Sequence, residues 1–154
     1  MTAAQLNQYL TVQVNTSTPE QLLMLLYNGA IRFLNEAEEA MTAGRVGQQG
    51  ALISRTINIL TELSASLDHE IGGQIASNLD ALYAYMNREL MTANLKDDVE
   101  RLVRVRTMLI DFRNTWDQAI TKVQSERSSE EGGVEGKKAE VGGYASHSRQ
   151  AYAM

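Results

Sequence analysis

The stretch T-P-E-Q-L-L-M-L-L-Y-N-G-A-I-R-F-L, residues 18–34, decides the fold. Thr18 stands where an N-cap belongs, Pro19 suits the first helical position, Glu20 puts a carboxylate in the first turn, and Gln21 completes a capping box. At about 100° per residue, Leu22, Leu23, Leu26, Tyr27, Ala30, Phe33 and Leu34 share one arc, extended later by Ala37 and Met41. That arc is a core face. Met24, Leu25 and Ile31 fall outside it, so this helix carries more apolar side chains than one buried face can use.

Outward from this helix the pattern repeats. The first helix is expected to run to about residue 43, where Gly44 stops it and Gly47 and Gly50 mark a turn. A second helix is expected over about 51–68, with Ile53, Ile57, Leu60, Leu63, Ser64 and Leu67 on one face, before Gly72-Gly73 breaks the period. A third, about 74–92, turns Ile75, Leu79, Leu82, Met86 and Leu90 inward. Asp97 followed by Glu100 reads as an acidic N-cap for a fourth helix, which carries Leu102, Val105, Leu109, Phe112, Trp116, Ala119 and Val123 at spacings of three and four. Four amphipathic helices with short connections predict an all-α, antiparallel four-helix bundle over residues 18–124. Residues 1–17 form an N-terminal segment without a strong helix signal. It is too apolar to be a solvated tail, with Leu6, Tyr9, Leu10, Val12 and Val14 among small polar residues. Residues 125–154 are glycine-rich, polar and aperiodic, and are expected to be disordered because they cannot bury enough apolar area to offset ordering entropy.

Composition excludes several classes of function. A net charge of -5 and dispersed Lys and Arg argue against a nucleic-acid surface. The absence of cysteine rules out disulfides and thiol chemistry. No apolar run approaches the roughly 18 residues of a membrane span, and the N-terminus lacks a signal-peptide pattern, so a soluble cytoplasmic protein without direct membrane insertion is expected. The only histidines are His69 and His147. His147 lies in the tail. His69, between Asp68 and Glu70, reads as a surface or capping residue at the end of the second helix, since a phosphotransfer histidine wants a basic neighbour. There is no Glu-x-x-His pair for a di-metal bundle site, no nucleophilic triad and no phosphate loop. Glu36, Glu38 and Glu39 read as a solvated face. No enzyme, cofactor or metal is expected.

Surplus apolar surface remains. Met24 and Ile31 on the first helix, Leu52 and Ile59 on the second, and Val103 and Ile110 on the fourth are each seven apart and flank the core face. On a single helix a wide core explains such a pair. On three helices the pattern favours grooves that receive an apolar peptide or a partner helix.

Four stretches give the chain a family resemblance: residues 18–34; S-L-D-H-E-I-G-G-Q-I-A-S-N-L-D-A-L-Y-A-Y-M-N-R-E-L-M-T-A-N-L at 66–95; the Trp116 region; and Y-L-T-V-Q-V at 9–14. Together they resemble the flagellar export chaperones of the FliS type. The resemblance implies a four-helix bundle that binds the disordered C-terminal segment of flagellin, prevents premature polymerisation and delivers the client to the flagellar type III export gate. Tyr83 joins the candidate client contacts on this ground. The N-terminal segment is implied to fold back over the binding surface when no client is present. A flagellar regulator or co-chaperone is a further candidate partner. A homodimeric helical adaptor or regulator of flagellar assembly is the alternative reading. Asn28 and Ala84 depart from the family pattern, standing where acidic residues are common.

Overall fold

The computed structural model describes residues 2–5, 8 and 18–133. Four long helices succeed one another: α1 (Pro19–Thr42), α2 (Val46–Ala65), α3 (His69–Lys96) and α4 (Val99–Gly133). The capping box that opens α1 is formed as its sequence dictates. Thr18 Oγ1 accepts from the Gln21 amide at 3.2 Å, and Gln21 Oε1 accepts from the Thr18 amide at 3.0 Å. The same arrangement occurs at Thr2 and Gln5, with residues 3–5 helical, so the N-terminal segment opens helically. The T-x-x-Q spacing there is the signal for it. Leu6, Tyr9, Leu10, Val12 and Val14 lie outside the described residues.

Consecutive helices are joined by turns of two or three residues, which forces antiparallel neighbours. α1 packs against α2 and α4, and α3 against the same two, so α1 and α3 stand at opposite corners of a square bundle. Tyr27, Leu34, Ile53, Leu60, Leu63, Met86, Leu90, Leu102 and Leu109 fill its axis, all essentially excluded from solvent. Each such side chain contributes roughly 1.5–3 kcal/mol by leaving water.

Several boundaries differ from those the sequence predicts. α2 begins at Val46, so Gly47 and Gly50 are helical. Tertiary bonding overrides their weak propensity: buried Gln49 donates from Nε2 to Asn94 Oδ1 at 3.1 Å and Asp97 Oδ1 at 2.9 Å. α2 ends at Ala65, and Asp68 opens α3 instead of closing α2, accepting from the Glu70 and Ile71 amides at 3.0 and 3.1 Å. His69 is therefore the first residue of α3, away from the helix C-terminus that would favour its charge. Gly73 kinks α3 rather than ending a helix (φ 51°, ψ -123°). The kink sets the phase of the rest of α3, so Ala76 faces the axis and Ile75 is 55% exposed, contrary to its expected inward position.

Asp97 ends α3 in the left-handed region (φ 53°), and Asp98 takes the capping role expected of Asp97. Its carboxylate accepts from the Arg101 amide at 3.2 Å and from Arg101 Nε at 3.0 Å. The amide bond, and after it the guanidinium, holds the carboxyl below the usual carboxylate range. α4 buries Leu102, Val105 and Leu109, leaves Phe112 and Trp116 half-buried and Ala119 exposed, and continues through residues 125–133, past the expected start of the tail.

Candidate functional site

Hydrogen bonds at two levels define which flank of α1 meets α4. Arg113 donates to Asn28 Oδ1 at 3.3 Å, and Arg106 donates to Asn35 Oδ1 at 3.0 Å and pairs with Glu38. Met24 and Ile31 lie four residues before Asn28 and Asn35, hence on the same flank. Val103 and Ile110 lie three residues before Arg106 and Arg113. The structure thus brings four of the sequence-derived residues to one seam, where polar clasps alternate with apolar side chains. Met24, Val103 and Ile110 are half-buried, whereas Ile31 is 7% exposed and belongs to the core. Asn28, the first departure from the family pattern, serves here as the neutral acceptor for Arg113.

The second seam lies on the other side of α1. A Cβ built on Gly29 would sit 3.5 Å from Ile59 Cδ1, so this flank of α1 faces α2. Leu22, Leu26 and Phe33 share it by helical spacing and are half-buried. The Arg32 and Arg55 guanidinium groups stand 5.2 and 5.8 Å from the Phe33 ring centroid and cover its face. Leu52 and Ile59 therefore belong with Leu22, Leu26 and Phe33, not with Met24 and Ile31. Leu52 is buried and Ile59 half-buried. Sequence reasoning placed Leu22, Leu26 and Phe33 in the core because they share an arc with Leu23 and Leu34. The core line is instead Leu23, Tyr27, Ala30, Ile31, Leu34 and Ala37, rotated toward α4.

Tyr83 is buried, and its hydroxyl meets that of Tyr27 at 2.5 Å across the bundle diagonal. Burial pushes both phenols above their ordinary value. For Tyr27, hydrogen bonding with Tyr83 and Trp116 offsets part of this, while for Tyr83 the neighbouring Tyr27 adds to it. Both therefore stay neutral, and the pair is a polar tie inside the core.

On the outer side, Tyr83 borders a recess between α2 and α3 that also includes Ser64, Asp80, Ala84 and Asn87. His69 stands exposed at its rim. Sequence reasoning assigned nothing to Asn87, nor to Met91 and Leu95, which are exposed four residues apart on α3. An apolar i, i+4 pair opposite the Met86–Leu90 face was the available signal. Among the described residues, no group of three or more acidic or histidine side chains could hold a metal, and no helix is long and apolar enough to cross a membrane.

The family model described as "Flagellar protein FliS" matches residues 2–123. The chain is 36% identical over 119 residues to the flagellar secretion chaperone FliS of Bacillus subtilis (strain 168), covering 77% of this chain and 86% of that protein. It is 37% identical over 105 residues to the flagellar secretion chaperone FliSB of Pseudomonas aeruginosa, covering 68% and 83%. Against the flagellar secretion chaperone FliS of Salmonella typhimurium it is 36% identical over 132 residues, covering 82% and 98%. With nearly the whole bundle matched, and four helices arranged around one apolar axis, the chain belongs to the FliS family of flagellar secretion chaperones.

Proposed function

We propose that this protein binds the disordered C-terminal segment of flagellin in the cytoplasm, keeps it from polymerising and delivers it to the flagellar type III export gate. Family membership over residues 2–123 carries the reading. The half-buried apolar side chains along two seams support it. A client that folds on binding buries on the order of 1,000–3,000 Å² and loses about 2–5 kcal/mol to ordering. Met24, Val103 and Ile110 on one side of α1, with Leu22, Leu26, Phe33 and Ile59 on the other, offer apolar area on both flanks of one helix. A client wrapping α1 would cover both. The buried Ile31, Leu52 and Tyr83 would support these walls from beneath.

Isothermal titration with a peptide from the C-terminal segment of flagellin tests the reading. The expected result is saturable binding with a negative heat-capacity change and co-elution on a sizing column. The absence of both heat and co-elution would overturn it. A tight dimer that the peptide cannot dissociate would favour the homodimeric adaptor instead. Residues 2–15 are proposed to cover the client surface in its absence, through Leu6, Tyr9, Leu10, Val12 and Val14. Their deletion should leave the helical circular dichroism of the bundle intact and raise peptide affinity by the free energy of displacing the segment. Unchanged affinity in a folded deletion variant would remove the covering role.

A further inference from the structure

The recess between α2 and α3 has a volume of about 400 Å³, and the Asp80 carboxylate and the Asn87 side-chain amide are among its lining groups. The three lining hydroxyls are engaged elsewhere: Thr61 donates to the Ile57 carbonyl at 2.9 Å, Ser64 donates to the Asp80 carboxylate, and the Tyr83 hydroxyl meets that of Tyr27. Among the described residues, the buried Asn87 Oδ1 has no partner. No Lys or Arg of these residues lines the space, and its basic lining residue, His69, stands exposed at the rim. A buried amide oxygen without a donor is unfavourable, and a carboxylate with an unused lone pair beside it makes the pocket complementary to a cationic donor.

The pocket does not stand alone. Asp80, Ala84, Asn87, Met91 and Leu95 succeed one another at spacings of four, three, four and four, so they share one flank of α3. Met91 and Leu95 are 55% and 83% exposed. Opposite them α2 presents Gly47, Gly50 and Ser54 at spacings of three and four. A Cβ on Gly47 would meet nothing within 4 Å, so this wall is low. The result is a shallow trough with an apolar end and an acceptor pocket. Asn87 and Leu95 are separated by about 12 Å, the rise of eight helical residues.

We propose that the trough seats a helical segment of the client along α2 and α3, with an Arg or Lys side chain in the pocket against Asn87 and Asp80 and an apolar face on Met91 and Leu95 about two turns away. The inference rests on the client-binding reading above and adds to it the chemistry of one subsite. It assigns the unpaired acceptor a purpose, and it makes recognition depend on a basic residue spaced from apolar ones.

The test is a titration of the full chain with the flagellin C-terminal peptide, using Asn87→Leu, Ala84→Asp and a peptide whose Arg and Lys are replaced by norleucine. Asn87→Leu should weaken binding about tenfold by removing the acceptor. Ala84→Asp, at an exposed lining position, should tighten it about threefold at low salt. Both effects should vanish with the norleucine peptide. If wild type binds but neither variant changes affinity, or the changes persist with the norleucine peptide, the pocket assignment is overturned while the client reading stands. Should Asn87→Leu lose its helical circular dichroism, Ala84→Asp alone decides the matter. If wild type binds no flagellin peptide, the client reading fails and the pocket is tested by nuclear magnetic resonance with N-acetylarginine amide. Shifts at the Asn87 side-chain amide would retain a cation subsite, and their absence would overturn it.

Discussion

At the residue scale, the Tyr27–Tyr83 pair shows how a polar contact can specify a core. Two phenols occupy opposite corners of the bundle, and their hydroxyl contact joins them in the interior. The partners are not equivalent, because hydrogen bonding with Trp116 also eases Tyr27, whereas Tyr83 gains no such relief. Tyr27→Phe should therefore cost more than Tyr83→Phe, by about 1–3 kcal/mol against about 1 kcal/mol, since only the first leaves a buried hydroxyl without a partner. The double replacement should cost less than the sum of the two. Urea denaturation of the four proteins measures this cycle, and equal single costs with strict additivity would show that the diagonal bond carries no coupling. The heptad-like arc made Tyr27 legible as a core residue. Its pairing with Tyr83, 56 positions away, was not legible, because helical period says which face is buried and not which opposite helix it meets.

At the scale of elements, termini were legible where capping chemistry is local and were missed where tertiary bonding decides. Thr18 and Gln21 cap α1 as their spacing demands. Gly47 and Gly50 read as a turn, yet they lie in α2 because Gln49 anchors that first turn to the end of α3. Gln49→Leu should destabilise the protein by about 1–3 kcal/mol, removing the donor that ties α2 to Asn94 and Asp97. Hydrogen exchange should then show the amides of 49–52 losing protection before those of 56–63. Uniform loss would mean that the anchor has no local role. Gly73 carries a positive φ that an L side chain adopts only under strain, with open space around it. Gly73→Ala should accordingly cost about 1–2 kcal/mol through backbone conformation alone, as read by thermal or urea unfolding. Asp68 and Asp98 cap α3 and α4; an aspartate beside a helix boundary does not reveal from sequence which of two helices it serves.

At the scale of the whole molecule, the buried phenols link stability to alkaline pH. Their folded values lie above the ordinary 10.0, so an unfolded chain would release these protons first. Their contribution is fully present below about pH 10 and declines above it, by roughly 1.4 kcal/mol per pH unit for each proton withheld. Ultraviolet titration should show Tyr27 and Tyr83 ionising only with loss of helical signal. Smooth ionisation of both with the bundle intact would contradict the burial. Local patterns in the sequence were enough to determine four amphipathic helices, a bundle and a surplus of apolar side chains, because each depends on neighbours three and four residues apart. The tertiary structure alone decided how that surplus is divided. It buried Ile31, Leu52 and Tyr83, joined Met24 to Val103 and Ile110, and turned Leu22, Leu26 and Phe33 toward Ile59. A helix rotated slightly about its axis keeps its period while exchanging the residues at the edges of its buried face, and only the packing of its neighbours sets that rotation.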